Sequence, residues 1–252
     1  FLLADVFMTE LTDPQNSSAA GRYVELYNNG DAVVDLSAGW AIQRWTNDNA
    51  DPQSPVYLNG SIVPGGFYII CNDGDKFAAA YPGSVCNQDI GTGGPADSNG
   101  DDHMAVLNPE GEVVDMYGIP GTNVNNCSGC QNFEDGRAER AGDNVSASAT
   151  WDFSGWNIDN DQGDGAGNLD SSEDFDPGAW IGAGEVSDDV YGCTDMFALN
   201  YNADATADDA SCQYADHIVE AASYYYTPSS LTINMGESVQ FNNMQGFHDV
   251  VV

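Results

Sequence analysis

Six oxygen-bearing side chains, Asp195, Asn200, Asn202, Asp204, Asp208 and Asp209, crowd the short segment bounded by Cys193 and Cys212. Ca²⁺ takes roughly six to eight oxygen ligands, with carbonyls and water completing the shell, so this segment is the first candidate cation site. Two weaker candidates share the chemistry. Asp159, Asp161 and Asp164 alternate with Asn and Gly as in an EF-hand loop, without the distant bidentate Glu. Asp97, Asn99 and Asp101 lie in an Asp-Ser-Asn-Gly-Asp-Asp string that is an equally good turn former. Catalytic patterns are missing by comparison. The sequence has no GxSxG elbow, HExxH or phosphate-binding loop. His103, beside Asp101 and Asp102, reads as a surface residue in a turn. The span is expected to be non-enzymatic.

Forty acidic residues against five basic ones give a formal net charge of -35. Asp dominates, and Asp prefers turns and caps to helix interiors, so the acids belong in loops. Nucleic acid and anionic membranes are excluded as partners by repulsion. The charge calls for salt or bound cations, as in a marine or extracellular setting. No stretch approaches the roughly 18 apolar residues of a membrane span. Phe1-Leu2-Leu3-Ala4-Asp5-Val6 reads as the first strand of a mature, secreted protein whose signal peptide has been removed.

Six cysteines fall in three close pairs, Cys71 with Cys86, Cys127 with Cys130 and Cys193 with Cys212. Close, even pairing favours disulfides formed in an oxidising compartment, although six cysteines allow fifteen connectivities. Zinc is the alternative at Cys127 and Cys130, but no second Cys or His pair completes a site. Sequons at Asn16, Asn59, Asn126 and Asn144 suit exposed loops of a protein from a source that glycosylates its exports.

The elements that must position these residues are short strands. Arg22-Tyr23-Val24-Glu25-Leu26-Tyr27, Trp40-Ala41-Ile42-Gln43-Arg44-Trp45, Phe67-Tyr68-Ile69-Ile70-Cys71, Met104-Ala105-Val106-Leu107 and Val113-Val114-Asp115-Met116-Tyr117 are separated by Gly, Pro and Asn turns. This spacing indicates an all-β sandwich. The one helical candidate runs from Asp75 to Tyr81.

Arg22-Tyr23-Val24-Glu25-Leu26-Tyr27-Asn28, Val34-Asp35-Leu36-Ser37 with Gly39-Trp40, Ile62-Val63-Pro64-Gly65-Gly66-Phe67-Tyr68 and Asp97-Ser98-Asn99-Gly100-Asp101-Asp102 together resemble the lamin tail domain of secreted bacterial proteins. The resemblance implies an immunoglobulin-like sandwich over 1–120 that serves as a non-catalytic interaction module. Residues 121–185, rich in Gly, Asp and Trp, are expected to pack Trp151, Trp156 and Trp180 on that sandwich. Within them Arg137 and Arg140 are expected to fix a loop through a local charge network.

The segment 186–214, Gly-Cys-Thr-Asp through Ala-Leu-Asn-Tyr-Asn to Asp-Asp-Ala-Ser-Cys, resembles a cysteine-bounded repeat of large secreted marine proteins. Residues 215–252 resemble the first half of a cupredoxin, in which His248 matches the first copper ligand. Copper needs a second His and a Cys, so it is not expected in this span. The chain is therefore expected to be part of a longer protein.

These readings combine into a secreted or cell-surface structural or adhesive protein with calcium-stabilised loops. Its expected partners are other proteins or copies of itself, in a homo-oligomer or filament. The alternatives are a copper electron-transfer protein completed elsewhere, or the accessory modules of an exported hydrolase.

Overall fold

The computed structural model describes residues 6–123, 131–159, 175–183 and 190–248. The chain divides into two compact units, residues 1–187 and 188–252. The stretch 121–185 therefore belongs to the body of the first unit, and the two C-terminal segments share the second.

The first unit is an all-β, immunoglobulin-like sandwich. Its larger sheet contains β1 (Val6–Thr12), β2 (Tyr23–Asn28), β7 (Phe67–Cys71), β8 (Gln88–Asp89), β11 (Arg137–Arg140) and β12 (Trp156–Asp159), in the order β12-β11-β1-β2-β7-β8. The smaller sheet contains β4 (Ala41–Trp45), β5 (Val56–Tyr57), β9 (His103–Leu107) and β10 (Val113–Tyr117), in the order β10-β9-β4-β5. A further pair, β3 (Val34–Asp35) and β6 (Ser61–Ile62), closes one end. Neighbouring strands are antiparallel except β7 and β8. The short helix α1 (Gly74–Ala80) follows β7, with the Asp73 carboxylate accepting the Lys76 N–H at 3.1 Å as its N-cap.

Strand alternation sorts the side chains. Met8, Leu11, Val24, Leu26 and Ile70 of the larger sheet meet Ile42, Met104, Val106 and Tyr117 of the smaller one in the main core. Trp156 joins that core at 7% exposure, with its ring edge-on to Tyr117. The outer face of the larger sheet is also covered. Tyr23, Ile69 and Cys71 pack with Phe77, Tyr81 and Phe175, while Phe7 and Tyr27 pack with Trp180. That arrangement explains why β1 and β2 are buried along their whole length on both faces. Residues 175–183 form a strap across this second face.

The Arg137 and Arg140 segment is a strand, where a loop is expected from its sequence. Glu10 to Thr12 pair with Glu139 to Arg137, and β12 then pairs with β11. Three charged residues among its four hide this strand from a reading based on apolar alternation.

In the second unit, β13 (Tyr191–Gly192) pairs parallel with β14 (Ala207–Asp208) inside the cysteine-bounded segment. A three-stranded sheet follows, built from β15 (His217–Ala222), β16 (Tyr225–Thr227) and β17 (Val239–Asn243) in the order β16-β15-β17. There β15 pairs antiparallel with β16 and parallel with β17.

Candidate functional site

The most unusual chemistry of the first unit lies beneath the strap. Register places Glu10 directly opposite Glu25 on one side and Glu139 on the other, so three glutamates stand in a row across β2, β1 and β11. Like charges opposite one another destabilise a sheet, and all three residues are buried. The row is held by named donors. Arg137 Nη1 reaches Glu10 Oε1 at 2.9 Å and Asp176 Oδ1 at 3.0 Å. The Tyr23 hydroxyl donates to Glu10 in a very short contact. The Thr9 hydroxyl and the Gly178 N–H donate to the two oxygens of Glu25 at 2.7 and 2.6 Å.

These donors do not offset the loss of water. Burial pushes the Glu10 carboxyl up to about 7, against the lowering effect of Tyr23 and Arg137. Burial, then the neighbouring Glu10, pushes Glu25 well above the carboxylate range. Burial raises Glu139 as well, against the opposing charge of Arg137. All three carboxyls of the row therefore release their protons less readily than free glutamate does. Two strap residues complete it, because Gly178 caps Glu25 and Asp176 shares Arg137.

A second cluster ties the two sheets together. Both guanidinium bonds from Arg140 Nη2 to Asp115 measure 2.6–2.7 Å, and Arg140 Nε donates to Met8 O at 2.6 Å. Its guanidinium lies between the rings of Phe7 and Trp156, 4.7 and 4.8 Å from their centroids. Asp115 also accepts the backbone N–H groups of Met8 and Ser148. A polar cavity of about 310 Å³ opens beside this pair, lined in part by Asp143, Asn144, Ser148 and Asp152.

The loop 97–102 turns inward, where its sequence suggests a solvated calcium loop. Asp97 binds Arg22 at 3.1 Å and accepts from Asn72 and the Gly93 N–H, and Asp102 binds Arg44 at 3.2 Å. Asp101 accepts from Asn47 and is pushed up by burial and by Asp102. Asn99 is half-buried in the same turn. His103 is fully buried at the start of β9, in place of the surface position expected for it. Its ring nitrogens meet Gln131 Nε2 and Thr122 O, and burial lowers its pKa. With Arg22 also on Asp13 at 2.6 Å, and Lys76 on Asp73 at 3.0 Å, all five basic side chains of the protein are engaged internally. Sequence-based reading weighs these acids as loop charges and misses their partners. The available signal is that four arginines sit within or next to strand patterns.

In the second unit the Cys193–Cys212 disulfide closes the acidic segment, as Cys71–Cys86 does beside α1 in the first. Cys127 and Cys130 lie outside the described residues, as do Asp161, Asp164 and Asn126. The six oxygen donors of the acidic segment mostly cap nearby amides. Asp195 accepts from the Phe197 N–H and the Tyr214 hydroxyl, and Asn200 from the Gln213 N–H. Asn202 accepts from the Asp204 N–H and Asp209 from the Ser211 N–H, while Asp208 lies 3.5 Å from the Thr194 N–H. Among the described residues, no three His, Cys, Asp or Glu side chains gather as a metal site.

Asp159 ends β12 at the surface. His248 is half-buried, with Nε2 2.8 Å from Gln245 O and its ring edge-on to Tyr226. Of the remaining sequons, Asn16 ends a short 3₁₀ turn, Asn59 is exposed, and Asn144 donates to Gly155 O at 3.2 Å.

Comparison with known proteins places the sandwich. Residues 3–121 match the Lamin Tail Domain family. A search of curated proteins found no match for the chain. The lamin tail domain is a structural, non-enzymatic immunoglobulin-like family, which agrees with the sandwich that these residues form. Two strands of the larger sheet, β11 and β12, lie beyond the matched lamin tail span and complete the sheet from outside it. No helix among the described residues is long and apolar enough to cross a membrane.

Proposed function

We propose that this chain is an exported structural or adhesive protein, non-catalytic over this span, which joins other proteins or its own copies at a cell surface or in an extracellular assembly. The observation that carries the reading is the placement of charge. All five cations are tied to acids within the protein, and many of the other described acids lie in exposed turns. Such a body excludes polyanions, and saline surroundings screen its acids enough for specific protein contacts to form. The two disulfides support an oxidising destination. Antibody labelling of intact source cells and of their culture medium tests the proposal. Label at the surface or in the medium is expected, and confinement to the cytosol with reduced thiols would overturn it.

Calcium at residues 195–209 belongs to the same reading and rests on the density of oxygen donors there. Binding would require Asp and Asn side chains to exchange amide caps for the cation. Thermal melting at fixed ionic strength, with Ca²⁺, Mg²⁺ or chelator, tests it. A rise in Tm with Ca²⁺ alone is expected, and identical curves would remove calcium from the proposal.

A further inference from the structure

The second unit contains acidic residues and no Lys or Arg at all, yet β17 reads Val239-Gln240-Phe241-Asn242-Asn243 without a charge. It is an edge strand among the described residues. Natural edges are blunted by charge, proline, bulges or shortness, and β17 has none of these. The opposite edge does, since β16 is three residues long and runs into Pro228.

The direction of the free groups follows from the ladder. The Ser238 carbonyl accepts from the His217 N–H, and the Met244 N–H donates to the Ala221 carbonyl, so even-numbered residues face β15. Strand backbones alternate, which leaves the N–H and C=O of Phe241 and Asn243 pointing away from the sheet. The side chains alternate too. Gln240 donates to Phe197 O and Asn242 Oδ1, which turns that face toward the cysteine-bounded segment. The other face carries Val219, Ala221, Phe241 and Tyr226, with both rings exposed, and begins at Val239 beside His217, whose ring meets the Glu237 carboxylate at 2.8 Å.

We propose that β17 pairs with β17 of a second copy, antiparallel across a two-fold axis beside Phe241, to join two three-stranded sheets into one of six. This deepens the assembly reading above and relies on it only for the existence of self-association. Charge selects the occupant. A cationic partner would need free carboxylates at the contact, and β17 itself carries none, while Asp216 and Glu237 beside its start are already held by Ser238, His217 and Asn234. A second copy meets an uncharged strand with an identical uncharged strand, and no like charges fall opposite each other. The acids elsewhere oppose approach, so pairing strengthens as salt screens them.

Sedimentation velocity of the full chain across a range of concentrations, at 20 mM and 500 mM NaCl, tests this together with residue-resolved amide exchange. The expected result is a monomer–dimer equilibrium tightened roughly tenfold or more by the added salt. Protection of the Phe241 and Asn243 amides should rise with concentration, while that of Gln240 and Asn242 stays constant. Phe241→Asp should abolish dimerisation with an unchanged circular dichroism spectrum. Should that variant fail to fold, exchange in the unaltered chain decides.

A monomer throughout, a dimer that leaves Phe241 and Asn243 unprotected, or association weakened by salt would each overturn the proposal. So would concentration-independent protection of both amides, which would mean that another part of the same chain occupies the edge. Surface localisation of a strictly monomeric protein would sink this pairing alone and leave the exported structural role standing.

Discussion

Replacing Glu10 by Gln tests the raised carboxyl at the centre of the glutamate row directly. Glu10 titrates near 7 in the folded protein and near 4.5 when unfolded. The folded state then holds the proton more tightly, so Glu10 stabilises the fold fully below pH 4.5 and loses that contribution as pH rises through 7. A shift of about 2.5 units at about 1.36 kcal/mol each gives a total of about 3 kcal/mol, of which about 2 kcal/mol should disappear between pH 5.5 and 7.5. Other groups titrate in this window. Asp13, raised to about 6 by burial, acts in the same direction. His103, lowered by burial, gains stability as pH rises and acts in the opposite one. The comparison that isolates Glu10 is therefore the difference between the native chain and Glu10→Gln. Urea unfolding in 0.5 M NaCl, which screens the general acidic repulsion, should show native stability falling from pH 5.5 to 7.5 by about 2 kcal/mol more than that of the variant. Equal slopes, or a native chain that gains more than the variant with pH, would refute the raised Glu10 carboxyl.

Asp115→Asn should cost about 3–5 kcal/mol, because it leaves the Arg140 guanidinium buried without its counter-charge; chemical denaturation measures it, and a loss under 1 kcal/mol would remove Arg140 as a staple of the two sheets. Cys193→Ser with Cys212→Ser opens the loop that the disulfide closes. It should destabilise the second unit by about 3 kcal/mol while leaving the first unit's thermal transition in place, which calorimetry resolves.

The sandwich is legible in the sequence because its central strands alternate between apolar core residues and something else, and its turns carry Gly, Pro and Asn. The helix after β7 is legible through the run from Asp75 to Tyr81 and its three alanines, while its N-cap at Asp73 emerges only from the structure. What escapes is the identity of that something else. Tyr23, Glu25 and Tyr27 of β2 alternate with the core residues, and they are buried by Phe77 in α1 with Tyr81 just after it and by the strap at 175–183, distant in sequence and almost without periodicity. Arg137 to Arg140 escape for the opposite reason. A strand with three charged side chains makes sense only once Glu10, Asp115 and Asp176 are known to face it. The acidic loops illustrate a third limit, since the spacing of Asp97, Asp101 and Asp102 is the same whether a cation or an arginine neutralises them.

The extent of the matched lamin tail span carries a practical consequence. A fragment ending at residue 121 would keep every residue of that span, yet it would strip β11 and its strap from β1. Val6–Thr12 would become an open, largely apolar border, Asp115 would lose its arginine, and Phe7 and Tyr27 would be wetted. The smallest piece able to fold is therefore larger than the family's footprint, and it must extend at least through Trp180. Recombinant pieces cut at the homology boundary should collect in inclusion bodies, while those cut between the two units should not.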